Sequence, residues 1–462
     1  MHKIKKDFLW GASTSAYQFE GAWDTDGKGK SVQDIKKSFP EGVTDFKVSS
    51  DHYNHWKEDV ALMAELGLKA YRFSIAWTRI IPNGVGEVNE KGIEFYSNLI
   101  DELLKYNITP IITMYHFDLP EELEKIGGWT NRKCIDAFEN YAKVLLENFG
   151  DRVEYWLTIN EQNMMSLVPE AILGKEKAEQ ISLKELYQAN HNMFLASAKA
   201  TILCHKMTKA KIGPAPNITT IYPNSNSPED YYAAINFSAF RNWFFLDLPV
   251  YGIYNKVALN ILEKNNAMFD ILPGDMEILK EGKPDFIGFN YYTTATVKMY
   301  EKKENNSSNQ QSGAKMENFY IQTDNPNLSK TQFGWEVDPY GFKNTLIELN
   351  ERYHLPVLLT ENGIGAYDKL TDEGKIHDQY RIEYYQNHFK YMFEAIEEGV
   401  ELFGYCPWSA FDLVSTHEGI KKRYGFIYVD RTDDDVKECK RYKKDSFDWY
   451  KKVIDSNGSD IA

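Results

Sequence analysis

The chain has 462 residues, 43% hydrophobic and 14% aromatic, and its 53 Lys and Arg against 68 Asp and Glu leave a formal charge of −15. That acidic balance argues against nucleic-acid and anionic-membrane partners, which are met by basic surfaces. The length suits one large α/β barrel as well as two or three smaller domains, and aromatics beyond the needs of a core suit a site for flat-faced ligands such as sugars.

At the N-terminus MHKIKKDFLWGAS has a basic start but no apolar stretch of signal-peptide length, and no later segment approaches the ~18 uninterrupted apolar residues of a membrane span. A cytoplasmic protein is therefore expected. Cys134, Cys204, Cys406 and Cys439 are widely spaced without any CxxC pair, which fits buried or free thiols better than a disulfide frame or a zinc site.

Short apolar, β-branched runs then recur along the chain: DFLWGAST (7–14), KAYRFSIAW (69–77), ITPIITMYH (108–116), VEYWLTINE (153–161), AKIGPAPN (210–217), PDFIGFNYY (284–292), PVLLTENG (356–363) and LFGYCPWSA (402–410). Amphipathic stretches alternate with them, such as KGIEFYSNLIDELLKY, where Ile93, Tyr96, Ile100, Leu103 and Leu104 fall on one helical face. Eight such repeats, with no strand-rich insert, predict one (β/α)8 TIM barrel domain over residues 1–462, with its active site at the C-terminal ends of the strands. A doubly wound open sheet is the alternative, disfavoured because no GxGxxG follows the first strand. EKKENNSSNQQSGAKMEN (301–318) reads as a polar, mobile surface loop, and the terminal DSNGSDIA as a fraying end.

Barrel chemistry sits where strands end, so the closing residues are the informative ones: Arg72, His116, Asn160 and Glu161, Asn290 and Tyr292, Glu361 and Asn362, and Trp408. A single Glu after such a run could cap the next helix, His116 alone could be a hydrogen-bonded barrel residue, and Trp408 alone could be core. Two glutamates on the fourth and seventh runs, each beside an Asn, are harder to explain as caps. They suit glycoside hydrolysis, in which one carboxyl protonates the leaving oxygen and the other attacks the anomeric carbon or activates water.

LTINE, LLTENG, GFNYY, FLWGASTSAYQFEGAW and CPWSAFD resemble glycoside hydrolase family 1, and the resemblance runs in order from Phe8 to Asp430. It implies a retaining β-glycosidase with no metal and no organic cofactor. By that resemblance Glu161 looks like the acid/base and Glu361 like the nucleophile, with Arg72 and Tyr292 set against the latter. Asn160 resembles the residue that binds the sugar 2-OH, Gln18 and His116 look like hydroxyl binders, Asn290 joins the sugar-binding set, and Trp408 resembles the platform under the ring. Gln162 departs from the pattern, since many members have Pro there, and the segment from Met164 to Ser182 is short, so the aglycone side is left unmapped.

DLVSTHEGIKKRYGF (412–426) is the remaining puzzle, because a bare KKR would read as a solvated basic turn. Members acting on neutral sugars tend to carry Glu and Trp where this chain has Ser415 and Thr416. Ser415, Lys422 and Tyr424 resemble instead the set with which 6-phospho-β-glycosidases hold a 6-phosphate; Lys421 and Arg423 are expected to be flanking charges that point outward. The resemblance therefore implies a 6-phospho-β-glucosidase acting on a small phosphorylated β-glucoside, a phosphorylated disaccharide or aryl glucoside, and the lack of Trp at Thr416 favours gluco over galacto substrates. The alternatives are a neutral-sugar β-glucosidase or transglycosylase, a 6-phospho-β-galactosidase and, least favoured, a non-catalytic sugar-phosphate binder. A homo-oligomer is left open.

Overall fold

A computed structural model describes residues 4–169, 175–300 and 311–462. Eight parallel strands form one sheet: β1 (Leu9–Ser13), β2 (Ala70–Ser74), β3 (Thr109–Tyr115), β4 (Tyr155–Asn160), β5 (Lys211–Ala215), β6 (Ile287–Asn290), β7 (Val357–Glu361) and β8 (Leu402–Tyr405). Their order, β5-β4-β3-β2-β1-β8-β7-β6, is that of a barrel unrolled at one seam. Across the seam Asp285 N donates to Ile212 O and Asn290 N to Pro216 O, each at 2.9 Å, so the sheet closes on itself. The seam is sparsely bonded because Pro214 and Pro216 have no N–H to give. Gly213 lets the strands approach there, since a Cβ at that position would stand 2.4 Å from Phe286 O.

The expected (β/α)8 barrel is thus the fold. Its strands are apolar on both faces because one face meets the barrel interior and the other the helices. Each strand or its flank sends one side chain inward: Ala70, Ile111, Leu157, Ala215, Phe286, Leu358 and Cys406, with Leu9 packed against them. Between β2 and β3, helix α1 (Glu90–Lys105) buries Phe95, Tyr96, Leu99, Ile100 and Leu103. Ile93 is half-buried and Leu104 is 37% exposed, so the inner stripe is centred about one residue earlier than the predicted face, on Phe95 and Leu99. After β4, helix α2 (Leu183–Met207) opens on a capping box: Glu185 N donates to the Ser182 hydroxyl, and Ser182 N donates back to the Glu185 carboxylate.

Three expectations need correcting. A strand-rich insert does exist: Ile221–Pro223, Ala295–Lys298, Tyr320–Thr323 and Lys315–Met316 form a four-stranded sheet in that order, of strands too short to carry a readable alternation. Within the segment expected to be a surface loop, residues 301–310 lie outside the described residues, while 311–318 contribute the Lys315–Met316 strand. The C-terminal residues are tied down: Trp10 Nε1 donates to Asn457 Oδ1 at 3.0 Å and Trp449 Nε1 to Ile461 O at 3.2 Å. All four cysteines are buried and none forms a disulfide, and no helix among the described residues is long and apolar enough to cross a membrane.

Candidate active site

The strand ends converge on a cleft of about 550 Å³ whose wall includes both Glu161 and Glu361. Glu361 closes β7 and is 4% exposed. Arg72 Nη1 donates to its Oε1 at 2.5 Å, and the Tyr292 hydroxyl donates to its Oε2 at 2.7 Å. Arg72, fully buried on β2, is held in turn by Thr113 Oγ1 and Asn160 Oδ1, both at 2.7 Å. With each oxygen gripped by a donor from a different strand end, the carboxylate is fixed in direction, as an attacking group must be.

Glu161 follows β4 on left-handed backbone, φ 44°, which is costly for a residue other than glycine and turns the side chain toward the cleft. Its Oε1 accepts hydrogen bonds from Asn217 Nδ2 at 2.8 Å and Asn290 Nδ2 at 3.0 Å. No described residue bonds its Oε2. Burial, with the charge of Glu361 nearby, pushes its pKa up to about 7, so this carboxyl can hold a proton at neutral pH.

Between the two carboxylates Asn160 ties the site together, its Oδ1 facing Arg72 and its Nδ2 lying 3.1 Å from His116 Nε2. His116 Nε2 must accept that bond, which leaves the ring proton on Nδ1, an atom without a partner among the described residues. Burial and the Arg72 charge hold the His116 pKa well below its usual value, so the ring is neutral. It stacks on Trp408 with centroids 5.9 Å apart. Gln18 also lines the cleft, its Nε2 donating to Val414 O at 2.9 Å. Asn290 does not line it; its amide is engaged with Asn160, Glu161 and the Thr360 hydroxyl.

Ser415, Thr416 and Tyr424 form part of the same wall. Lys422 lies just behind it, 2% exposed, with Nζ 3.8 Å from the Trp335 ring centre, 4.6 Å from that of Phe333 and 5.7 Å from that of Tyr424. No carboxylate among the described residues is ion-paired with it. Burial pushes its pKa down to about 8, against a smaller opposing pull from Glu418. Gly365 makes the room: a Cβ there would come within 2.7 Å of Lys422 Cγ and 2.9 Å of Tyr424 Cζ.

The outward-pointing role expected of Arg423 is wrong. Its side chain is buried, donating to Asp412 Oδ2 at 3.1 Å and to the carbonyls of Val429 and Arg431, so it braces the loop that carries Ser415. Lys421 is half-buried. Gln162, the departure noted after Glu161, turns away from the cleft to donate to Asn190 O on α2. Sequence reasoning missed Phe333, Trp335, Gly365 and Asn217. Of these only Asn217 carried a usable signal, since it closes the fifth apolar run as Asn160 closes the fourth.

Comparison with known proteins gives a consistent outcome. The family model described as Glycosyl hydrolase family 1 matches residues 1–459. The chain is 42% identical to the aryl-phospho-β-D-glucosidase BglC of Bacillus subtilis (strain 168), over 99% of this chain and 98% of that protein. It is 41% identical to a 6-phospho-β-glucosidase of Clostridium longisporum, with the same coverage. A solved family 1 β-glucosidase from Thermotoga maritima superposes with a TM-score of 0.89 at 36% identity, covering 99% of both chains.

Proposed function

The chain belongs to glycosyl hydrolase family 1, and from that premise we propose that it hydrolyses 6-phospho-β-glucosides with retention of configuration. Glu361 is the nucleophile, and Glu161 protonates the leaving oxygen and then activates the water that releases the sugar. The two environments support this division of labour. Glu361 is gripped by Arg72 and Tyr292, whereas Glu161 has a raised pKa and one oxygen left for the cleft. Asn160 is suited to the 2-OH, His116 Nδ1 and Gln18 to other hydroxyls, and Trp408 to the apolar face of the ring. The carboxyl groups of a retaining pair stand roughly 5 to 5.5 Å apart.

Lys422 carries the substrate half of the reading. A buried ammonium without a carboxylate partner among the described residues, in a chain of net charge −15, is costly until an anion arrives. A 6-phosphate between the hydroxyls of Ser415 and Tyr424 supplies that anion, and the flexible lysine stem lets the ammonium leave the rings to meet it. Thr416, which shares a hydrogen bond of 3.2 Å with the Tyr17 hydroxyl, favours gluco over galacto substrates. The names of the similar aryl-phospho- and 6-phospho-β-glucosidases agree with the phosphate assignment. Sugar phosphates are intracellular compounds, so the reading carries a cytoplasmic location with it.

The test compares kcat/KM for nitrophenyl β-glucoside 6-phosphate with that for nitrophenyl β-glucoside, expecting a preference of about a hundredfold or more for the phosphorylated sugar. Comparable values would remove the phosphate from the reading. In an NMR time course the β-anomer should appear first; an α-anomer appearing first would exclude retention.

A further inference from the structure

Behind Glu161 stands another buried cation. Arg241 lies in the π-helical turn Ala239–Trp243, is 5% exposed, and has no ion-paired carboxylate among the described residues. Its Nη1 donates to Asn217 O at 2.8 Å and its Nη2 to Asn217 Oδ1 at 2.7 Å. Because a guanidinium can only donate, the Asn217 amide has one permitted sense, with Oδ1 toward Arg241 and Nδ2 toward Glu161. Asn163 holds the same residue from its backbone side, donating to Asn217 O at 2.7 Å and accepting from Asn217 N at 3.0 Å. Asn290 is oriented by the same logic from the other arginine: Arg72 donates to Asn160 Oδ1, so the group of Asn290 that shares this oxygen at 3.1 Å must be its NH₂. Both NH₂ groups then point at one atom, Oε1 of Glu161.

We infer that Arg241, acting through Asn217, is a positioning residue for the acid/base: together with Asn290 it reserves Oε1 of Glu161 as an acceptor and so directs the catalytic proton to Oε2, the oxygen left for the cleft. A hydroxyl at Oε1 would set its hydrogen against two N–H donors. The inference rests on the reading of Glu161 as acid/base. The charged neighbours of Glu161 are Glu361 on β7, which favours its protonated form, and Arg241, which favours the carboxylate, with Arg72 beyond Asn160; Tyr292 and His116 stay neutral.

The experiment measures kcat/KM against pH for wild type, Arg241→Gln and Asn217→Ala, using whichever aryl β-glucosides, phosphorylated or free, the wild type turns over faster. In both variants the basic limb should move to higher pH by about 0.5 to 1 unit, because each loses a stabiliser of the carboxylate. The loss at pH 6 should be roughly tenfold greater with a phenyl than with a dinitrophenyl leaving group, since only the former needs a well-aimed proton. An unmoved limb, or a loss independent of the leaving group, would mean that the two residues serve only the fold. If Arg241→Gln does not fold, Asn217→Ala decides alone. Glu161→Gln separates the premise from the inference: no leaving-group dependence there refutes the acid/base reading, whereas dependence there without it in the other two variants refutes only the role of Arg241.

Discussion

The Lys422 ammonium stands 3.8 Å from the centre of the Trp335 ring, inside the protein, with no described carboxylate at ion-pair distance. Aromatic faces return about 2 kcal/mol to a desolvated cation, less than water does, and the pKa is accordingly pushed down to about 8. A lowered pKa means that the charge is present below about pH 8 and lost above it. KM for a phosphorylated glucoside should therefore climb as pH rises past 8, while KM for the free glucoside changes much less. Lys422→Ala should abolish this pH dependence and cost about ten- to a hundredfold in kcat/KM with the phosphorylated substrate. Equal losses on both substrates would show that the residue does not read the phosphate.

Gly365 offers a check on the same site from a residue that carries no charge. An added Cβ would press on Lys422 Cγ at 2.7 Å, Lys422 Cε at 2.8 Å and Tyr424 Cζ at 2.9 Å, so the ammonium and the tyrosine ring must shift. Gly365→Ala should lower kcat/KM for phosphorylated glucosides about tenfold with a smaller effect on free ones. A variant that loses both activities in step would point to damage spread over the cleft.

The two carboxylates should separate under azide. Glu361→Ala should lose turnover with every substrate, whereas Glu161→Ala should retain substrates such as dinitrophenyl glycosides, whose leaving group departs without a proton. Azide should speed the second variant and give a β-glycosyl azide, having attacked the glycosyl-enzyme in place of water. β-azide from Glu361→Ala would reverse the assignment.

Stability should carry the mark of Glu161. Its folded-state pKa, about 7, lies above that of an unfolded glutamate, so between about pH 4.5 and pH 7 the folded chain binds the extra proton and stability falls as pH rises. Glu161→Gln removes the ionisation. The variant should match wild type near pH 4.5 and exceed it at pH 8 by about 2 kcal/mol, with allowance for partial exposure to the cleft. Thermal melts at the two pH values measure this; a gap that does not widen with pH would mean that Glu161 ionises as freely as in water.

Glu161, Glu361 and the barrel were legible because each rests on a local pattern, an apolar run closed by a polar residue and repeated eight times. The cleft wall around Lys422 was legible only through resemblance, at Ser415, Lys422 and Tyr424. Its aromatic half was not: Phe333 and Trp335 belong to a ribbon whose strands, Ser329–Lys330 and Glu336–Val337, are two residues long and carry no periodicity. Arg423 was misread because KKR looks solvated in isolation, while its partner Asp412 lies eleven positions upstream, on the far side of the loop. Arg241 gave no sign at all, since a cation amid the aromatic stretch NFSAFRNWFF reads as surface until the chain folds over it.

The donor-poor seam between β5 and β6 has a consequence for how the molecule fails. A closed barrel distributes stress around its circumference, and the joint with fewest cross-links yields first. Pro214 and Pro216 put that joint directly before Asn217, whose amide steadies Glu161, while Glu361 is anchored across the barrel by Arg72 on β2. Warming should thus loosen Glu161 before Glu361: amides flanking 210–218 should exchange with deuterium ahead of those in β2 and β3, and, on the proposed roles, glycosides with poor leaving groups should stop turning over while dinitrophenyl glycosides are still cleaved.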